Sequence, residues 1–518
     1  MPNESDKKVI LGIIGAAVAV FILVYVGIHI TGITIPPPDT DPIRGLERII
    51  KDINVNTVTH PKSPVDILPP DLKYSLPEIS KYPPQVNSST PSYIEIFSST
   101  EKAGSGTDGW LTEVAKDFNN AAITIDGKQV SVRLRGIPSG QGGDYITSGK
   151  YLPDAYTPSN ELWGEMIVAQ GVKAQLVQKR LAGNVAGILL TKAKKDELVN
   201  KYGAINTTTI VDAVTNNELE MGYTDPFASS TGLNFLISAL ETFDSRDLLS
   251  DKAKAGFESF QANIPVVAYT TLQMRESAKS GVLDSFVLEY QTYVNTPDIR
   301  SYEFIPFGAR HDSPMYAIGE LSAEKMKILN KFVEFTQQEK YQILANKYGF
   351  NGFNGYQSEA RAVSGDEIIQ AQKVWKITKN AKPICAVFVA DVSGSMDGVP
   401  LNNLKRSLLE GQKYIGEDNM VGLIAMKMLI DQKAAGPNAD PNLKPRIFVL
   451  SDGNTNRGHS LDEIKGIVQE LGIPVYTIGY NANIPALQAI SSINEGASIN
   501  ADTDDVVYKL GNLFNAEM

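Results

Sequence analysis

The chain has 518 residues, too many for a single hydrophobic core, so two or three domains are expected. Its 42% hydrophobic and 21% charged residues are those of ordinary folded material, and a net charge of −11 without a basic cluster excludes nucleic acid as a partner. The single cysteine, Cys385, excludes an internal disulfide.

Residues 1–8 form a short tail that holds Lys7 and Lys8, and Val9 to Ile35 then run without a charged residue. That run exceeds the ~20 apolar residues needed to cross a bilayer, so 9–35 is expected to be a transmembrane helix. The lysines place the tail in the cytoplasm and the rest of the chain outside. A cleaved signal peptide is the alternative; the run is longer than a signal core and no small-x-small site closes it. Residues 36–92 carry twelve prolines and read as an extended stalk. Its later part keeps apolar residues between the prolines, which predicts that it lies against a domain surface.

From Tyr93 strands and helices alternate, the pattern of an α/β domain. Strands are expected at YIEIFSS, VSVRLRG, Asp154–Tyr156, Val185–Thr191, Glu218–Tyr223, Val266–Tyr269 and Tyr302–Pro306. Helices fit between them, and Ser322 to Lys347 reads as one long helix. Several strands end in small polar groups: Ser98, Ser99 and Thr100; Ser139, Gly140 and Gln141; Thr157 and Ser159; Thr224, Ser229, Ser230 and Thr231. Any one of these is an ordinary cap or turn. Hydroxyls and backbone amides gathered at helix starts also hold anions and polar ligands. With MGYTDPFASSTGLNFL leading into a helix and a later KYGFNGF, residues 93–356 resemble bacterial extracellular solute-binding proteins of the two-lobed, type II periplasmic kind. The resemblance implies two lobes joined by crossing strands, with the strand VAGILLTK and the return near Tyr302–Pro306 as candidates. It also implies a small polar ligand between the lobes, held by the residues just named. No arginine cluster marks a phosphate site; Arg133 and Arg135 share one strand face.

After a connection over 357–382, residues 383–518 again alternate strand and helix, which predicts a doubly wound, Rossmann-like parallel sheet. In PICAVFVADVSGSM an apolar strand stops at Asp391, followed by Ser393 and Ser395. A carboxylate with alternating hydroxyls is a hard-oxygen set suited to Mg²⁺, Mn²⁺ or Ca²⁺. DVSGS at a buried strand end resembles the metal-ion-dependent adhesion site of von Willebrand factor A domains. RIFVLSDG supplies a second strand ending in an aspartate, Asp452, where that family places its more distant metal-site acid. The resemblance implies a divalent cation held by Asp391, Ser393, Ser395 and Asp452, with a protein partner donating a carboxylate to its open position. The domain looks truncated: NMVGLIAM runs straight into KMLIDQKAA, and no residue matches the threonine that the family brings to the metal.

No nucleophile-base pair or metal-ligand cluster of histidine and cysteine stands out, and His29, His60, His311 and His459 are scattered, so an enzyme is not expected. The reading is a single-pass cell-membrane protein whose bulk lies outside the cell, capturing a small polar ligand, docking a protein partner through a metal, or both. The alternative is a structural component of a cell-surface assembly that uses both modules as scaffolds.

Overall fold

The computed structural model describes residues 76–279, 283–358, 360–379, 384–390, 396, 398–411, 420–423, 444–451, 473–480, 482, 487, 490–491 and 498–500. The expected membrane segment 9–35 and the metal-site residues Asp391, Ser393, Ser395 and Asp452 lie outside this set. Among the described residues no helix is long and apolar enough to cross a membrane.

An apolar run ending in serine builds β1 (Ser92–Ser98), with Ile94, Ile96 and Phe97 fully buried. The first lobe continues through α1 (Trp110–Asn120), β2 (Thr124–Ile125), β3 (Lys128–Gly136), α2 (Ser139–Ser148), β4 (Ala155–Thr157), α3 (Leu162–Ala169) and β5 (Ala174–Gln178). The second lobe comprises β6 (Val185–Thr191), α4 (Lys192–Tyr202), α5 (Thr207–Thr215), β7 (Met221–Thr224), α6 (Ser230–Phe243), α7 (Asp251–Gln261), β8 (Val266–Ala268), α8 (Thr271–Ala278), β9 (Ser285–Glu289), α9 (Tyr290–Val294) and β10 (Tyr302–Arg310). The chain then returns to the first lobe with β11 (Met315–Ile318), α10 (Ala323–Thr336) and α11 (Glu339–Lys347).

The two lobes are two separate sheets. The first has the order β2-β3-β1-β4-β11-β5, in which β1 pairs in parallel with β3 and β4 while β11 enters antiparallel. The second has the order β10-β6-β9-β7-β8. β6 and β10, expected to cross between lobes, instead pair with each other antiparallel inside the second sheet. The crossings are the short segments at their ends, 179–184 before β6 and 311–314 after β10. Each joins the outermost strand of one sheet, β5 or β10, to the second strand of the other, β6 or β11.

Two further expectations change. The long helix over Ser322–Lys347 is two helices, because Gln338 takes an extended backbone (ψ 141°) and restarts the chain as α11. The connection 357–382 contains α12 (Gly365–Lys379), whose Ile368, Ala371 and Trp375 are buried at i, i+3 and i+7 spacing in the same core cluster as residues of both lobes. Residues 76–91 lie along the first lobe: Leu76 is buried in its core, and Val86 forms a bridge with Leu134.

The last sheet is fully parallel, in the order β13-β12-β14-β15-β16: β12 (Ile384–Ala390), β13 (Met420–Leu423), β14 (Lys444–Ser451), β15 (Val475–Gly479) and β16 (Ser498–Asn500). β12 carries its apolar run into the middle, where Ala386 and Phe388 are buried and Phe388 stacks on Phe448 at 4.8 Å. α13 (Val399–Gly411) follows.

Candidate functional site

The turns that follow β1 in the first lobe and β7 in the second line one cleft, contributing Thr100 and Glu101 from one and Ala228 to Ser230 from the other. After β1 the chain turns through Ser99, Thr100, Glu101 and Lys102, tied to β4 by the Ser99 amide donating to the Thr157 carbonyl at 3.2 Å. Three helix starts complete the walls: Pro138 and Ser139 at α2, Ala228 to Ser230 at α6, and Thr270 to Leu272 at α8. Glu289, at the end of β9, closes the floor, and Ser159 after β4 completes the lining. The free space is about 20 Å³, room for a group about the size of a water molecule.

The cleft is rich in hydroxyls backed by a buried charged network. Glu101 Oε1 accepts from Ser99 Oγ and from Ser159 Oγ at 2.6 Å, and Lys102 Nζ lies 3.7 Å away. Lys102 also donates to Ser99 Oγ and to the Pro158 carbonyl at 3.2 Å. Burial pushes this ammonium below its ordinary pKa, against the pull of Glu101 and Glu289. Glu289 is held just as firmly: Asn184 Nδ2 donates to its Oε2 at 2.8 Å and His311 Nδ1 sits 2.8 Å from Oε1. His311 Nε2 faces the side-chain amides of Asn160 and Asn234 at 3.2 and 3.1 Å. Asn234 is oriented by accepting from the Ala309 amide and donating to the Ala309 carbonyl, both at 2.8 Å, so Nε2 accepts and Nδ1 carries the proton toward Glu289.

Of the residues singled out from sequence, Thr100, Ser139, Ser159, Ser229 and Ser230 line the cleft. Ser99, Thr224 and Thr231 stand behind the lining: Ser99 on Glu101, Thr224 on Ser229 at 3.0 Å, Thr231 on Thr271 at 3.2 Å. Four turn elsewhere. Ser98 Oγ donates to the Ser99 carbonyl, and the Gly140 amide donates across the lobes to the Ala228 carbonyl at 3.0 Å. Gln141 reaches the Tyr82 hydroxyl at 2.7 Å, and Thr157, fully buried in β4, has an unpaired hydroxyl outside the lining. Arg135 is buried in an ion pair with Glu95 at 2.7 Å, away from the cleft. Sequence reasoning missed Glu101, Thr270, Thr271 and Glu289. A local signal existed for Thr270 and Thr271, since YTT follows the apolar strand VVA.

Among the described residues no cluster of histidine, cysteine and acidic side chains is placed to hold a metal ion. What the cleft offers is hydrogen bonding, with donors at three helix starts and acceptors at two glutamates.

Residues 102–351 match the family described as bacterial extracellular solute-binding protein. Among solved structures, the chain is similar to iron-bound HitA from Pseudomonas aeruginosa, at 12% identity over 56% of this chain and 99% of that one, with a TM-score of 0.38. It is also similar to the sulfate-binding protein SubI from Mycobacterium tuberculosis, at 14% identity over 51% and 88% and a TM-score of 0.36. A third is the fructose-6-phosphate-bound periplasmic binding protein AfuA from Actinobacillus pleuropneumoniae, at 14% identity over 56% and 100% and a TM-score of 0.40. No curated protein matches.

Proposed function

We propose that this chain, whose residues 102–351 form an extracellular solute-binding domain, captures a small polar ligand between its lobes and is held at the cell membrane by residues 9–35. The family is one of binding proteins, not enzymes. The observation that carries the reading is the convergence of hydroxyls from both lobes, Thr100, Ser139 and Ser159 from one and Ser229, Ser230 and Thr271 from the other, on a cleft met by three helix starts. Helix starts and hydroxyls favour acceptors on the ligand. Glu101 and Glu289 favour a ligand that also carries a hydrogen-bond donor.

Thermal unfolding of the purified full chain against millimolar sulfate, hydrogen phosphate, molybdate, thiamine and sugar phosphates tests this. One probe is expected to raise the midpoint, since occupancy at a hundred times Kd adds about 2.7 kcal/mol, and the shift is expected to vanish in Ser230→Ala with Thr271→Ala. A scaffold that binds no small ligand is the second reading. It rests on the small free volume and on both glutamates being satisfied by the protein's own donors. A flat response to every probe selects it.

The C-terminal module is proposed to be a von Willebrand factor A-like dock, with Asp391, Ser393, Ser395 and Asp452 holding Mg²⁺, Mn²⁺ or Ca²⁺ for a protein partner. Support comes from β12 and β14 being parallel neighbours in register, Ala390 beside Leu450, so that residues 391 and 452 follow adjacent strand ends. Calorimetric titration of the full chain with Mg²⁺ and Mn²⁺ is expected to show weak binding that Asp391→Ala removes. Unchanged heats in that variant refute the site.

A further inference from the structure

The loop between β7 and α6 has two faces. Its later residues, Ala228 to Ser230, line the cleft and are gripped by the first lobe: the Gly140 amide holds the Ala228 carbonyl at 3.0 Å, Asn160 Nδ2 donates to the Ser230 carbonyl at 3.2 Å, and Trp163 Nε1 donates to Ser230 Oγ at 2.9 Å. Its earlier residues, Pro226 and Phe227, are held by α12. Gln372 Nε2 donates to the Pro226 carbonyl at 2.8 Å, and the Trp375 ring lies 5.7 Å from Phe227. Trp375 Nε1 also donates to the Tyr223 hydroxyl at 2.6 Å, at the end of β7.

α12 is equally fixed to the first lobe. At Gly365 a Cβ would meet the Glu165 carbonyl oxygen at 2.2 Å and Ala169 Cβ at 2.6 Å, so the helix starts in direct backbone contact with α3. Its buried face then runs over α3 of the first lobe and α6 and α7 of the second. A helix packed on both lobes keeps both contacts only while the lobes are together.

The far end of α12 leads out of this domain. Its last residue, Lys379, precedes the first residue of β12, Ile384, by five positions. A second link comes from β14, where Arg446 Nη2 donates to the Pro265 carbonyl at 3.0 Å. Pro265 immediately precedes β8, and the turn after β8 carries Thr270 and Thr271 into the cleft. Both Ile384 and Arg446 lie at the amino-terminal ends of their strands. The C-terminal sheet is therefore attached at one pole to two elements that reach the cleft.

We propose that α12 is a relay that couples closure of the cleft to the C-terminal sheet, so that the two modules act as one conformational unit. Opening the lobes pulls α3 from α6, strips α12 from one of them, and shifts the carboxyl end of α12, five residues before β12. By reciprocity, anything that biases the C-terminal module also biases the cleft.

The test needs no ligand, so its outcome is independent of which solute the cleft takes. At Gly140 an added Cβ would meet the Phe227 carbonyl oxygen at 1.8 Å and Trp163 Cη2 at 2.8 Å, so Gly140→Ala wedges the lobes apart. Hydrogen exchange of the full chain is then compared with the parent. The expected result is an at least tenfold faster exchange over α12 and the first residues of β12 and β14, beyond the local change at 139–146 and 226–231. In the reverse direction, Gly365→Ala, at the end of α12 that packs on α3, is expected to speed exchange at 227–230, and Gln372→Ala, which touches the loop directly through Pro226, is expected to speed it at the first residues of β12 and β14, each to a similar extent. These variants also carry the test if Gly140→Ala does not fold. Exchange that changes only beside each substitution overturns the relay, and so does a uniform rise that reaches β1 and β3 equally, which is plain destabilisation.

Discussion

The segments on either side of the solute-binding domain, residues 76–91 and α12, are both short stretches outside the matched family region, yet they bind the domain in different ways. The leading segment holds one lobe only. The Tyr145 hydroxyl donates to the Pro77 carbonyl at 2.7 Å, Gln141 reaches the Tyr82 hydroxyl, Arg135 donates to the Tyr82 carbonyl, and the Gln85 amide donates to the Leu134 carbonyl at 2.8 Å. Asn119 of α1 donates to the Asn87 carbonyl at 3.1 Å and Lys150, just past α2, pairs with Glu78 at 3.2 Å, so these partners all belong to the first lobe. α12 instead packs on α3, α6 and α7 and grips the cleft loop. A staple on one lobe stabilises that lobe whatever the other does. A helix shared by two lobes stabilises their closed arrangement, and that difference makes α12 the segment through which closure can be read.

The largest expected effect that sharpens this contrast is Trp375→Ala. It removes a fully buried indole and leaves the Tyr223 hydroxyl without that donor. A large aromatic truncated in a core costs about 3–5 kcal/mol, and urea unfolding of the full chain followed by exchange should show the loss in both lobes. Leu76→Ala comes next. Leu76 is buried against the first lobe, a truncation of this kind costs about 2–5 kcal/mol, and the exchange change should stay within the first lobe. If Leu76→Ala loosens α6 and α7 as much as Trp375→Ala does, the staple and the relay are not different in kind.

How much of this was legible in sequence depends on where the information resides. Strands announced themselves where burial is two-sided: VAGILLT is β6 to the residue, since an unbroken apolar run between turn residues leaves few alternatives. The cleft hydroxyls were legible because Ser229 caps α6, accepting from the Gly232 amide, and a cap has a local signature. Glu101 and Glu289 were not, because their place in the cleft depends on which sheet edges meet. That is fixed by the crossings 179–184 and 311–314, whose residues carry no periodicity. His311 looked isolated in the chain for the same reason, although its ring joins Glu289, Asn160 and Asn234 in space. α12 has a readable helical spacing in Ile368, Ala371 and Trp375. Its many charged and amide residues concealed it, because the buried face is narrow.

The smallest expected effect lies on α2, where staple and lobe contact meet on opposite faces. Gln141 and Tyr145, four apart, face the leading segment, while Gly140 and Asp144, also four apart, face the second lobe. Asp144 lies near Asp225, whose Oδ1 accepts from the Phe227 amide at 2.7 Å. Burial, and then the charge of Asp225, push the Asp144 carboxyl up to about 7. The unfolded value is about 3.9. Below both values the group is protonated in either state and costs nothing. As pH rises from about 4 to 7 the unfolded chain loses its proton while the folded chain keeps it, so the unfolded state binds fewer protons and stability falls; above 7 both are ionised and the loss is complete. Asp144→Asn removes this loss. Its stability relative to the parent is expected to increase between pH 5 and pH 8 by at least ~1 kcal/mol, since one pKa unit of difference is worth about 1.4 kcal/mol. It should level off above that. Because the penalty acts where Gly140 meets Ala228, the variant should also slow exchange at 226–231 at pH 8 and leave residues 76–91 unchanged. An equal gain at pH 5 and pH 8 would show that no carboxylate ionises against the second lobe, and the two faces of α2 would then differ only in packing.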